Sequence, residues 1–365
     1  MTFPAPCFPL KSPFSRSSGR VLLPVLLAAA IVTPLLPVRA EEPPALPYGP
    51  GVAKLTVTDE RSDRPLSGDI WYPTATPDKK SRADISKVWQ MADADPQGKP
   101  ADGTFPLVVV SHGMYGNIYN QAWLGSELAR RGFVVAMVNH PGTSTFLRDP
   151  DQARQLWDRP VDLSRLISYL TGDSAFRDRI DPDRIYAAGH SLGGLTVMLL
   201  AGAEFDAERY RSNCRGEKHP VVCDVLAGWS VAETDADRRE MESSQKDPRV
   251  AGVISMDLGG TPVFSLQSLA AIDIPVLVFG SGRADMLDQD VESRALAAAL
   301  PAGKARHVEL EDAGHFDFMG VCKPEGYDIL KKEEPGDEIV CVKGAAEREN
   351  QHRKMVEEIV TFLQP

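Results

Sequence analysis

The sequence lacks the marks of several large protein classes. Only five of its 365 residues are Cys. No two of them form a Cys-x-x-Cys pair, which argues against a zinc ribbon or a thioredoxin-type redox site. Positive charge is in deficit: 40 Lys and Arg face 51 Asp and Glu, for a formal net charge of −11. A basic nucleic-acid footprint is therefore missing, and anionic membranes repel the surface on average. There is no internal repeat, no Walker lysine and no Gly-x-Gly-x-x-Gly fingerprint. What is present, 43% hydrophobic and 25% charged residues, is ordinary for a globular chain of one large domain or two smaller ones.

One long apolar run exists, Val21 to Val38, interrupted by Pro24, Pro34 and Pro37. Lys11, Arg16 and Arg20 precede it, no acid occurs before Glu41, and Val38-Arg39-Ala40 ends it with small residues at a cleavable position. This pattern predicts a secretory signal over residues 1–40, with an uncleaved membrane anchor as the alternative. The expected product is a single domain over 41–365, periplasmic or secreted, with no stable membrane span. Cys214, Cys223, Cys322 and Cys341 remain in that domain. An even count in an oxidising compartment predicts disulfides, and the pairs Cys214–Cys223 and Cys322–Cys341 each close a local loop.

Apolar runs and helical periodicities alternate along the rest. Residues 52–59 and 65–73 read as an opening hairpin. Residues 74–104 are polar and read as a surface excursion. Buried strands are expected at Pro106–Ser111, Phe133–Val138, Arg184–Ala188, Val250–Met256, Pro275–Phe279 and Arg306–Leu310. Helices are expected near Asn120–Arg131, after Asp158, after Ser191, near Val291–Leu300 and over Ala345–Leu363. The pattern specifies a mostly parallel central sheet with helices on both faces. Two polar stretches, about 203–248 and 319–344, break the rhythm and read as small insertions.

The chemistry centres on Gly189-His190-Ser191-Leu192-Gly193-Gly194. Coming between a strand and a helix, such a turn strains the Ser191 backbone and exposes its hydroxyl. A serine hydroxyl needs a base, and His315, on the loop after the last strand, is the candidate general base. A carboxylate must then orient the imidazole. Asp257 and Asp285 each follow an apolar strand, both satisfy the order Ser, acid, His, and spacing leaves the choice between them open. The oxyanion requires backbone N–H donors, expected from Leu192 and from Met114 in the loop Ser111-His-Gly-Met-Tyr-Gly116. This chemistry needs no metal and no organic cofactor, and no clustered metal-ligand set is visible.

Taken together, Ser111-His-Gly-Met, Asn139-His-Pro-Gly142, Arg159-Pro-x-Asp162, Gly189-His-Ser-Leu-Gly-Gly194, Val253-Ile-Ser-Met-Asp257 and Gly314-His-Phe-Asp-Phe318 resemble an α/β-hydrolase. The group is the dienelactone-hydrolase-like one, near platelet-activating-factor acetylhydrolases and chlorophyllases. The resemblance spans about 106–320 and implies an α/β-hydrolase fold and a serine esterase acting on a small-molecule or lipid-like ester. It favours Asp257 as the acid, although Gly282-Arg-Ala-Asp285 equally resembles the acid motif of the wider superfamily. True dienelactone hydrolases use a cysteine nucleophile, whereas Ser191 stands here, which favours ordinary esters. An acyltransferase, a thioesterase or a peptidase would use the same residues, and a non-catalytic binding protein would share the scaffold.

Overall fold

The computed structural model describes residues 46–59, 62–76, 86–342 and 344–364. The expected signal segment 1–40 lies outside the described residues. Eight strands form one sheet: β1 (Gly49–Asp59), β2 (Ser62–Thr74), β3 (Phe105–Ser111), β4 (Val134–Asn139), β5 (Ile180–His190), β6 (Val250–Met256), β7 (Val276–Ser281) and β8 (Ala305–Leu310). Their order across the sheet is β1-β2-β4-β3-β5-β6-β7-β8. The β1–β2 and β2–β4 pairs are antiparallel, and every later neighbour is parallel.

The central strands form because they are runs of Val, Ile, Leu, Ala and Phe that bury both faces. All residues of β3, β4 and β7 are buried. Alternation divides each strand between two cores. Leu107 and Val109 pack with the helices α2 (Asp158–Gly172) and α3 (Leu192–Ala201), through Leu163, Ile167, Leu195 and Leu199. Val108 and Val110 pack on the opposite face with α1 (Ala122–Ala129) and the C-terminal helix Ala345–Leu363. Burying such side chains contributes roughly 1.5–3 kcal/mol each.

Ser111, Asn139, His190, Met256, Ser281 and Leu310 all end their strands on the carboxyl edge of the sheet. The chain leaves β3 toward β4 on one side and returns to β5 on the other. The crevice at that reversal is where open α/β sheets build their sites.

The polar stretch 203–248 folds into short helices α4 (Ala207–Asn213), α5 (Val221–Gly228) and α6 (Asp235–Glu242). Its Cys214 and Cys223 are bonded, with Cα atoms 5.4 Å apart. Beyond α7 (Ser293–Ala299), the stretch 319–344 contains α8 (Gly326–Glu333), and the closing helix is α9 (Ala345–Leu363). Cys322 and Cys341 are bonded across α8.

The excursion at 74–104 is more than surface. The Gln90 N–H donates to Val321 O, the Lys323 N–H donates to Val88 O, and Trp89 bridges Cys322. The two polar segments therefore cover each other's backbone, which neither could do alone. Ala94 and Ala101 are buried in the process. Among the described residues, no helix is long and apolar enough to cross a membrane.

Candidate active site

Ser191 sits between the last residue of β5 and the first of α3, with φ 54° and ψ −119°. Neighbouring backbone enforces this turn. A Cβ on Gly189 would lie 2.0 Å from Gly193 O, and one on Gly193 would lie 2.1 Å from Ser111 O. Only glycine fits at either place, so the chain can double back and lift the Ser191 hydroxyl clear.

His315 follows β8, where Gly314 permits the approach: a Cβ there would meet the Asp285 carboxylate at 2.0 Å. Its Nε2 lies 3.0 Å from Ser191 Oγ, and its Nδ1 lies 2.6 Å from Asp257 Oδ2. A carboxylate can only accept, so Nδ1 carries the proton and Nε2 is left to accept from the serine hydroxyl. Asp257 is fully buried and sits at φ 45°. Its second oxygen accepts from the Ser281 N–H at 2.8 Å and from Gln289 Nε2 at 2.9 Å. Burial alone would raise its pKa, but the His315 hydrogen bond and charge and the Ser281 N–H outweigh burial and hold the carboxyl below its usual range.

Asp285 occupies a different position. Its Oδ1 accepts from the backbone N–H of His315 at 3.1 Å, and its Oδ2 pairs with Arg283 at 3.1 Å on the surface. It supports the loop that carries the imidazole and does not touch the ring nitrogen that Asp257 holds. His190 points away from the Ser191 hydroxyl and donates through Nε2 to the His315 carbonyl at 2.8 Å. Burial and the nearby His315 lower its pKa to about 3, so it stays neutral.

Met114 is 45% exposed and lines the same cavity as Ser191, His315 and Leu192. Leu192 opens α3, where first-turn N–H groups lack partners within the helix. A Cβ on Gly113 would lie only 3.3 Å from Ser191 Cβ, so the Met114 loop runs directly against Ser191. The cavity measures about 390 Å³ and is mainly apolar. Val222 and Val225 of α5 wall it on one side, Leu330 and Ile339 on another, and Trp89 joins them. Both disulfide-closed insertions and the excursion thus meet over Ser191. Among the described residues, no group of three or more His, Cys, Asp or Glu is placed to hold a metal ion.

Sequence reasoning missed Gln289 and Glu292, which lie between β7 and α7 and carry no motif. Glu292 accepts through one oxygen from the N–H groups of Gly260 and Thr261, both at 2.8 Å, and so pins the loop after Asp257. Burial raises its pKa from 4.5 to about 7, against the pull of those two donors, and the Asp257 charge adds to the rise. A carboxyl raised in the folded state stabilises fully below its unfolded pKa, and that contribution is lost as pH climbs through the folded value. The Glu292→Gln variant is neutral throughout. Its stability relative to the parent should therefore rise between about pH 4.5 and pH 7, by up to about 3 kcal/mol, and level off above that. Urea unfolding at pH 5 and pH 8.5 checks this, and a difference independent of pH would refute it.

Residues 97–207 match the family model described as PET hydrolase-like (PETase). A bis(hydroxyethyl) terephthalate hydrolase of Streptomyces coelicolor is 35% identical over 195 residues, covering 52% of this chain and 50% of that protein. Cutinase 2 of Thermobifida cellulosilytica is 37% identical over 108 residues, covering 29% of this chain and 37% of that one. The match thus spans half or less of the length of these relatives. A solved ferulic acid esterase from Streptomyces cinnamoneus superposes with a TM-score of 0.56 at 22% identity, covering 86% of this chain and 90% of that one. The chain has the α/β-hydrolase fold, and its segment 97–207 is similar to the PET hydrolase-like family.

Proposed function

We propose that this chain is an exported serine hydrolase that cleaves carboxylic esters through an acyl-enzyme. One observation carries the reading: an unbroken hydrogen-bonded chain from Ser191 through His315 to Asp257 that opens into an apolar cavity. Ser191 Oγ attacks the ester carbonyl while His315 Nε2 takes its proton. The N–H groups of Met114 and Leu192 stabilise the oxyanion, and the imidazolium is balanced by Asp257. His315 then protonates the departing alcohol. Water, deprotonated in turn by His315, releases the acid and restores Ser191.

The apolar walls suit an ester with an apolar or aromatic half, the kind of ester that the names of the terephthalate-ester and ferulic acid relatives also point to. Export is supported by the two disulfides and by the signal pattern. A series of aryl esters of increasing acyl length tests the reaction. Turnover is expected with hydrolysis products only, with a preferred length set by the cavity. No turnover of any ester, or products dominated by transfer to added alcohols, would overturn the reading. The same protein isolated from its host should begin near Glu41.

A further inference from the structure

Behind the nucleophile lies a second chain of buried polar groups that the reaction does not use. We infer that His112 is a positioning residue of the oxyanion hole, locked by this chain so that it fixes the peptide presenting the Met114 N–H. The inference rests on the ester-hydrolase reading.

The protonation of His112 follows from its partners. The backbone N–H of His140 donates to His112 Nε2 at 3.0 Å. A backbone N–H cannot accept, so Nε2 is bare and the proton of the neutral ring is on Nδ1. Nδ1 lies 2.7 Å from Gly113 O and therefore donates to it. The Gly116 N–H donates to the same oxygen at 3.1 Å. A trans peptide is planar, with its C=O and N–H opposed. Holding the Gly113 carbonyl against the buried His112 ring turns the Met114 N–H the other way, out of the core and toward the side where Met114 lines the cavity.

His112 is itself held. Its carbonyl accepts from Arg159 Nη2, which also donates to Ser111 Oγ at 3.0 Å. The same guanidinium reaches Thr143 Oγ1 and, through Nε at 2.9 Å, Thr196 Oγ1 on the nucleophile helix α3. One buried cation thus registers the oxyanion loop against the element that carries Ser191. His140 completes the chain, with Nδ1 2.9 Å from Asp162 Oδ2 and Nε2 3.0 Å from Ser111 Oγ. Ser111, His140 and Asp162 repeat the arrangement of a catalytic triad but are wholly buried, so no substrate reaches them. Burial first, then the Arg159 charge, holds both imidazoles well below their ordinary pKa, so neither gains a second ring proton that would break the pattern.

The test compares His112→Ala with His112→Asn, because the Asn amide nitrogen can stand where Nδ1 stands and still donate to Gly113 O. Kinetics are normalised to active sites titrated with a fluorophosphonate. His112→Ala should lower kcat by about 10²-fold with KM within about twofold, since the oxyanion donor acts in the transition state and not on the bound ester. Binding of an alkyl boronic acid, whose tetrahedral oxygen occupies the oxyanion position, should weaken by a similar factor. His112→Asn should recover most of both. A purely structural role would lower Tm while leaving kcat per titrated site and boronate affinity unchanged, and that result overturns the inference. Should His112→Ala not fold, His112→Gln replaces it, since its amide sits one bond too far out. Equal kcat for the Asn and Gln variants would then be the refuting result. A parent protein that neither hydrolyses esters nor reacts with the fluorophosphonate would instead defeat the ester-hydrolase reading, before any variant is made.

Discussion

Replacing Ser191 with alanine should lower the turnover of an activated aryl ester by about 10⁴- to 10⁶-fold and leave the fold intact. The size follows from what is lost. Without the hydroxyl there is no acyl-enzyme, and only the oxyanion donors and the cavity act on the substrate. The fold should survive because alanine keeps the Cβ that Ser191 already tolerates at φ 54°. The hydroxyl's hydrogen bond to His315 is the one side-chain bond it removes from the triad. Turnover by a parent-free preparation, with circular dichroism and Tm alongside, decides the matter. Near-normal turnover would defeat the serine-hydrolase reading outright.

The second large effect separates the two acids. Asp257→Asn should cost about 10⁴-fold in turnover, whereas Asp285→Asn should cost less than about tenfold. The Asp257 site dictates how an amide would sit. Ser281 N–H and Gln289 Nε2 both donate to Oδ1, so the amide oxygen is drawn there and the NH₂ group is turned toward His315. His315 Nδ1 must then accept, its proton moves to Nε2, and the ring can no longer take the serine proton. Asparagine tolerates a φ of 45° better than most residues, so the protein should still fold. At position 285 the amide oxygen can still accept from the His315 N–H, and the pair with Arg283 is solvent-exposed and weak. Parallel kinetics on both folded variants provide the measurement. The reverse ranking would move the orienting role to Asp285.

These residues also show how legibility divides. Val108, Val110, Val253 and Val278 announced buried strands because a fully enclosed parallel strand needs an unbroken apolar run, which is a local property. Ser191 announced itself because the turn needs glycine at 189 and 193, again within a few residues. Spacing cannot rank Asp257 and Asp285, since both follow strands on the same edge, and only the family resemblance favours Asp257. What separates them is a few ångströms of loop geometry and the burial of one against the exposure of the other. His112 and His140 sit at strand ends and carry no catalytic motif, and their proton positions depend on partners as many as 29 residues apart in sequence.

The polar stretches were the least legible. Residues 203–248 and 319–344 show few large apolar side chains, so they read as surface insertions, and the segment 74–104 read likewise. Their apolar minority, Trp89, Val222, Val225, Leu330 and Ile339, converges on one cavity, where Trp89 also pairs with Cys322 across the fold.

The amino-acid order by itself determined the alternating strands and helices of the central sheet, its parallel pairing, the strained serine turn and the histidine after the last strand. Each of these is set by sterics and hydrophobic periodicity acting between near neighbours. The tertiary structure alone decided which carboxylate meets His315, which imidazole nitrogen carries the proton, and what walls the cavity over Ser191. Those are set by hydrogen-bond distances and burial between segments far apart in the chain. Such contacts exist only once the sheet has brought the loops to one edge.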